Sequence, residues 1–204
     1  MAEANSPPQI LVTVETSSPT LFRCGDPPFT ITLKATMNGS EPVTINAFRT
    51  ILLPRMPTLD YQGLTFTNTR TGVPAERTVI DIHYVVPDYL TSTTTSVIEI
   101  PPKHSPDPYV VKHTFHAPQL RQPATGEKPL SHEDYMLFSV SQVSGFEAGQ
   151  SYEIGLGKDM SRILWWRRGK KNAVFAGEQR ISSAADFGSE LQMARTNTAS
   201  FSVV

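Results

Sequence analysis

Two segments hold the residues whose types and placing could do chemistry: Val43–Leu53, which contains Arg49, and Tyr109–Ala117, which contains His113. Read as a strand with period two, the first places Val43, Ile45, Ala47, Ile51 and Leu53 on one face, with Arg49 in the middle of that row. The second places His113 between Val111 and Phe115, with Tyr109 on the same face. A guanidinium buried without a partner is prohibitively unfavourable, so Arg49 must meet a carboxylate, reach solvent or line a cavity. A histidine among apolar groups tends to be neutral at pH 7, able to donate and accept at once. The two facing one cavity could bind an anion or run acid–base chemistry, with Tyr135 of the His132-Glu133-Asp134-Tyr135 run as the next candidate. The same letters allow a blander arrangement. A β-bulge would send Arg49 to solvent, and a core histidine would bond a backbone carbonyl.

His113 and His116 raise the question of a metal, but residues three apart on a strand point to opposite faces. His83 and Asp81 share a face of another expected strand, while His104 and His132 fall in loops. No HExxH, CxxC or HxH spacing occurs, so neither a metal nor a cofactor is expected. There is no GxSxG elbow, and the single Cys24 has no neighbouring histidine. Gly155-Leu156-Gly157-Lys158-Asp159 lacks the third glycine of a dinucleotide loop and the Ser or Thr of a P-loop, and reads as a hairpin turn.

The stretch Arg162–Lys171 concentrates charge, with five of the 18 basic residues within ten positions around Trp165 and Trp166. On a strand these two indoles face opposite sides, so one is core and the other lies among charges. The segment reads as a charged hairpin tip. Trp165, Trp166, Arg167, Arg168, Lys170 and Lys171 are therefore the candidate contacts for a protein partner or an anionic ligand. Nucleic acid is not expected, because the net charge is −1 and no wider basic field exists to release counterions.

The elements that would position these residues are almost all strands. In 204 residues with 17 Pro and 12 Gly, apolar residues alternate with polar ones nearly from end to end. Phe29, Ile31, Leu33, Ala35 and Met37 form the cleanest half-buried strand, and Asn38-Gly39-Ser40-Glu41 predicts a turn into Val43–Leu53, hence a hairpin over 29–53. Further strands are expected at 10–15, 64–69, 78–86, 96–100, 109–117, 135–143, 151–156, 162–168 and 199–204. Only 182–195 reads as a short helix, with Phe187, Leu191 and Ala194 on one stripe. The expected architecture is all-β: one antiparallel sandwich of about nine or ten strands spanning residues 1–204. It would have a flexible stretch at 1–8 and a long Pro-rich loop at 118–134. No run approaches the roughly 20 apolar residues of a membrane span, and the polar, acidic start with no basic or apolar leader makes the cytoplasm the expected address.

Phe146-Glu147-Ala148-Gly149-Gln150-Ser151-Tyr152-Glu153-Ile154 resembles the tyrosine corner of immunoglobulin-like and fibronectin type III-like sandwiches. The resemblance implies that the Tyr152 hydroxyl bonds backward to the crossing chain and that Phe146 plugs the core. Over a longer span the chain looks like small uncharacterised cytosolic proteins of filamentous fungi with an immunoglobulin-like or arrestin-like sandwich. The matching pieces are Pro28–Thr36, Thr65–Pro74 and the corner running into Trp165-Trp166-Arg167. A fungal origin would follow from it, and no catalytic residue comes with it.

Two functions fit these letters. One is a non-enzymatic binding or interaction module, holding a protein partner or a small hydrophobic or anionic ligand. The other is a cofactor-independent isomerase, cyclase or lyase acting on a small hydrophobic metabolite, with His113, Arg49 and Tyr135 as its chemistry.

Overall fold

The computed structural model describes residues 7–53, 63–77, 87–115, 145–177, 180–184 and 190–204. The expected strands at 78–86 and 135–143, the 118–134 loop and the first six residues lie outside these segments. The strands are β1 (Gln9–Thr16), β2 (Thr20–Leu21), β3 (Phe29–Met37), β4 (Val43–Asn46), β5 (Leu64–Asn68), β6 (Tyr89–Leu90) and β7 (Val97–Ile100). They continue with β8 (Tyr109–Phe115), β9 (Ser151–Leu156), β10 (Arg162–Ile163), β11 (Trp166–Arg168), β12 (Ile181–Ser182), β13 (Leu191–Arg195) and β14 (Ser200–Val203). Among the described residues a four-residue helix, α1, spans Lys171–Val174.

The fold is all-β. A five-stranded sheet runs β10-β13-β1-β3-β8 and a four-stranded one β2-β14-β9-β5, with a three-stranded sheet β11-β4-β7 and a ribbon β12-β6 beside them. β3 alternates buried and half-buried residues without a break, because one face packs inward and the other meets water. The five- and four-stranded sheets share one apolar cluster, in which Phe29 of β3 meets Phe201 of β14 at 5.0 Å and Phe66 of β5 meets Phe115 of β8 at 6.0 Å. At the end of β13, Arg195 ties the two sheets by reaching the Ile154 carbonyl and the Glu153 carboxylate of β9. A second, smaller cluster gathers Leu90, Val97, Trp165 and Phe175.

Several expectations are corrected here. The sheets are mixed rather than antiparallel, since β1 runs parallel to β13 and β14 parallel to β2. The described residues alone contain fourteen strands, several of them only two residues long. The stretch expected to be helical ends instead in strand β13, which β1 and β10 flank on its two edges. Leu191 and Met193 are buried there and Gln192 exposed, so pairing on both sides overrides a weak helical stripe; residues 185–189 lie outside the description. The 29–53 hairpin does not form, because β3 pairs with β1 and β8 while β4 pairs with β11 and β7. The expected 162–168 strand likewise divides at Leu164 and Trp165 between two sheets, so no hairpin carries the basic segment. Gly155–Asp159 leads from β9 in one sheet to β10 in the other and is a crossover rather than a hairpin turn.

Candidate functional site

His113 lies on the inward face of β8, paired across from Ile31 and 5 % exposed. Its Nε2 is 2.8 Å from the Ile51 carbonyl oxygen, and four residues away on the same face the Tyr109 hydroxyl donates to the Leu52 carbonyl at 3.1 Å. The two side chains together hold the turn at 47–52 against β8. Burial lowers the His113 pKa below its ordinary value, with the bond to Ile51 acting the other way.

Arg49 sits on that same turn but faces out. Strand β4 ends at Asn46, whose side-chain oxygen accepts the Phe48 amide at 3.1 Å and bends the chain away from the sheet. Thr50 closes the turn, its hydroxyl donating to the Ala47 carbonyl at 2.8 Å. Arg49 adopts a left-handed backbone with φ 57° and is exposed. Arg49 and His113 are therefore held by one turn and point to different environments. Tyr135, His83, Asp81, His116 and His132 lie outside the described residues, and His104 is exposed. Among the described residues no three His, Cys, Asp or Glu side chains converge as a metal site would require.

The basic segment is split between side chains that turn inward and side chains that reach solvent. Trp165, which precedes β11, is buried in the small cluster, and half-buried Trp166 packs against the main core, so neither indole is left among the charges as one was expected to be. The Arg167 guanidinium lies 5.3 Å from the Trp165 ring centre, and its Nη1 donates to the Trp166 carbonyl. Lys171 donates its backbone N–H to Glu99 and its ammonium to the Val97 carbonyl at 2.7 Å. Burial lowers the Lys171 pKa. Arg168 stands 4.0 Å from Glu41 with both side chains well exposed, while Lys170 reaches solvent.

Two features escaped the sequence reading. Arg77 places its guanidinium 5.0 Å from the Phe66 ring, 5.6 Å from Phe115 and 5.0 Å from Phe146, with Nε and Nη1 buried. A charge seated on three aromatic faces is stabilised by their quadrupoles, and nothing in the local pattern around Arg77 announces it. The second feature is a surface groove of about 780 Å³ beside the Phe146–Tyr152 corner. One wall is Asn68–Glu76, where Asn68 Oδ1 accepts the amides of Arg70 and Thr71 and the Asn68 amide donates to Val73. The other wall is 145–148. It passes so close to Glu76 that a Cβ on Gly145, at φ 79°, would come within 1.9 Å of the Glu76 carbonyl oxygen.

Tyr152 and Phe146 line the groove, and the Tyr152 hydroxyl accepts the Glu147 amide at 3.1 Å, five residues back within the same turn. Exposed Glu76, Glu147 and Arg23 stand around the groove with apolar Val73, Pro74 and Ala148. Among the described residues none of these three charges takes part in an ion pair. Neither a protein-family model, nor a curated protein, nor a solved structure matches this chain.

Proposed function

We propose that this chain is a non-enzymatic binding module of immunoglobulin-like type, and that it holds its ligand in the groove beside Tyr152. The observation that carries the reading is the groove itself. Its volume falls in the range of about 300–1,000 Å³ usual for ligand sites, and its walls combine apolar side chains with two carboxylates and one guanidinium. That balance suits a ligand presenting a cationic group beside an apolar one, such as a lysine-containing peptide segment. The immunoglobulin-like assignment draws its support from the Tyr152–Glu147 bond and the buried Phe146 plug.

The enzyme reading has less behind it. His113 commits one ring nitrogen to a backbone carbonyl, and Arg49 is out on the exposed side of the same turn. The Trp165–Lys171 segment, the other contact suggested by sequence, has Arg167 and Lys171 engaged in internal contacts.

The test is a titration of isotope-labelled protein with a blocked Lys-Val tetrapeptide and with its Glu-Val counterpart. The lysine peptide is expected to shift the amides of Thr71, Val73, Gly145 and Ala148. Substituting Glu76→Gln and Glu147→Gln together should weaken it about fivefold, as two exposed charge contacts would. Equal response to both peptides, or shifts confined to residues away from the groove, would remove the assignment.

A further inference from the structure

Trp165 holds the one polar side chain among the described residues that is almost wholly enclosed yet bonded to nothing. It is 2 % exposed, and its indole Nε1 is buried with no hydrogen-bond partner. A buried donor left unsatisfied has lost its water and gained nothing in return, so its enclosure must be held in place by other contacts.

Those contacts are few. On one side Phe175 stacks on the indole at 6.4 Å and 28°, and on another the Arg167 guanidinium covers it. Leu90 and Val97 belong to the same cluster, and partly buried Val174 of α1 and Ile181 pack against it. Phe175 is delivered by α1, which has four residues, buries none of them, carries no side-chain N-cap and has no acidic residue in its first turn. An isolated helix of one turn has no stability of its own, because the cost of nucleation is not recovered by propagation.

Two features define how this piece is attached. Gly169, at φ 104°, turns the chain from β11 toward α1 and is itself anchored, its N–H donating to the Pro42 carbonyl at 2.9 Å and its carbonyl accepting the Thr44 hydroxyl at 3.0 Å, so the strap moves beyond this point. Lys171 supplies the fastening, with its backbone N–H on Glu99 Oε2 at 2.9 Å and its ammonium on the Val97 carbonyl at 2.7 Å. Both acceptors belong to β7, so Lys171 supplies the polar attachment of α1 to the three-stranded sheet, beside the apolar packing of Val174. The two main sheets share a separate core that contains neither Trp165 nor Phe175.

We propose that α1 is a hinged strap, latched by Lys171 over Trp165, which opens while the two main sheets stay folded. Opening releases the Lys171 ammonium and moves Phe175 off the indole, and the Trp165 N–H gains water as a partner. The closed strap thus withholds the Trp165 indole from solvent, and Lys171 sets how often it is released. The strap is independent of the groove beside Tyr152 and stands whether or not that groove binds a ligand.

The experiment follows hydrogen exchange of the two indole N–H groups by NMR in increasing sub-denaturing urea, with Trp166→Phe used to assign them. The Trp165 indole proton is expected to exchange with little dependence on urea, the signature of local opening. The amides of Ile31 and Ile154 should follow the full slope of global unfolding. Lys171→Met, which keeps most of the aliphatic stem, should speed Trp165 indole exchange about tenfold, as loss of a charge-assisted bond implies, and leave Ile31 and Ile154 within about twofold. Overturning results would be a Trp165 indole proton that shares the global slope, or exchange unchanged by Lys171→Met. Should that variant fail to fold, the urea series on the unaltered protein decides the question by itself.

Discussion

The Tyr152 corner and the Trp165 strap are built to the same plan, a large aromatic side chain beneath a glycine-containing turn, yet they differ in two ways. At the corner the polar tip is satisfied: the Tyr152 hydroxyl accepts the Glu147 amide. At the strap the Trp165 N–H has no partner. The rings differ as much. Phe146 lies within 5.0–6.1 Å of Phe66, Phe115, Tyr152 and Phe201, whereas Trp165 has Phe175 as its ring neighbour. Satisfied polar groups and dense aromatic packing make the corner a fixed part of the core. Their absence makes the strap the place where this fold can yield without coming apart.

The sharpest way to break that comparison is to truncate one ring on each side. Phe146→Ala removes a ring 3 % exposed in a cluster that cannot collapse, and should destabilise the protein by about 3–5 kcal/mol in urea denaturation. Phe175→Ala, at the margin of a four-residue cluster, should cost only about 2 kcal/mol and leave the denaturant slope unchanged. Equal losses would mean that the two clusters unfold as one and that the strap has no independence. Next in size is Arg77→Ala. With the guanidinium over three rings and largely desolvated, this change should cost about 2 kcal/mol or more by the same measurement.

His113 sharpens the comparison from the main-core side, through pH. Because burial holds its pKa below about 6.5, the unfolded chain binds the proton more readily than the folded one. Its contribution is therefore complete above about pH 6.5 and is lost as pH falls from there through the folded-state value, at no more than about 1.4 kcal/mol per pH unit for one proton. His113→Gln keeps a donor for the Ile51 carbonyl and removes the titration. Subtracting its urea-melting profile from that of the unaltered protein, between pH 7.5 and 5, should leave this slope. A flat difference would mean that His113 is solvated like an ordinary surface histidine.

These residues also show what could be read in advance. Strand parity identified the buried face of β3 and the inward direction of His113, because alternation is a local consequence of the pleat. It misplaced Arg49, because the Asn46 side chain ends β4 before Ala47, and an asparagine on the polar face of an alternating run leaves the period-two pattern unbroken. It also took 162–168 as one strand. The break at Leu164–Trp165 is dictated by which partners, β13 and β4, wait in two different sheets. Leu191–Arg195 shows the same limit, since its neighbours β1 and β10 come from distant parts of the chain. The groove stayed invisible for that reason too. Its walls are 68–76 and 145–148, and the pairing of Asn68 with Tyr152 and the close passage of Gly145 over Glu76 bring them together.

A smaller effect tests the corner's polar tip alone. Tyr152→Phe keeps the ring and removes the oxygen that accepts the Glu147 amide, for an expected loss of about 1 kcal/mol. A loss near zero would mean that water satisfies the Glu147 amide once the phenol oxygen is gone, leaving ring packing as the corner's whole contribution.

The smallest effect belongs to the strap. Arg167 covers Trp165 in the same cation–π arrangement that Arg77 makes with Phe66, but over one ring and from a half-buried position. Water screens such a contact, so Arg167→Ala should lower global stability by only about 0.5 kcal/mol. The quantity it should move is local. Arg167 forms one cover of the indole as Phe175 forms another, and neither belongs to the core shared by the two main sheets. Trp165 emission should accordingly become more sensitive to acrylamide in a Trp166→Phe background, while the urea midpoint barely changes. The reverse pattern, a large shift in midpoint with unaltered quenching, would place Arg167 in the global folding unit and erase the distinction between strap and corner.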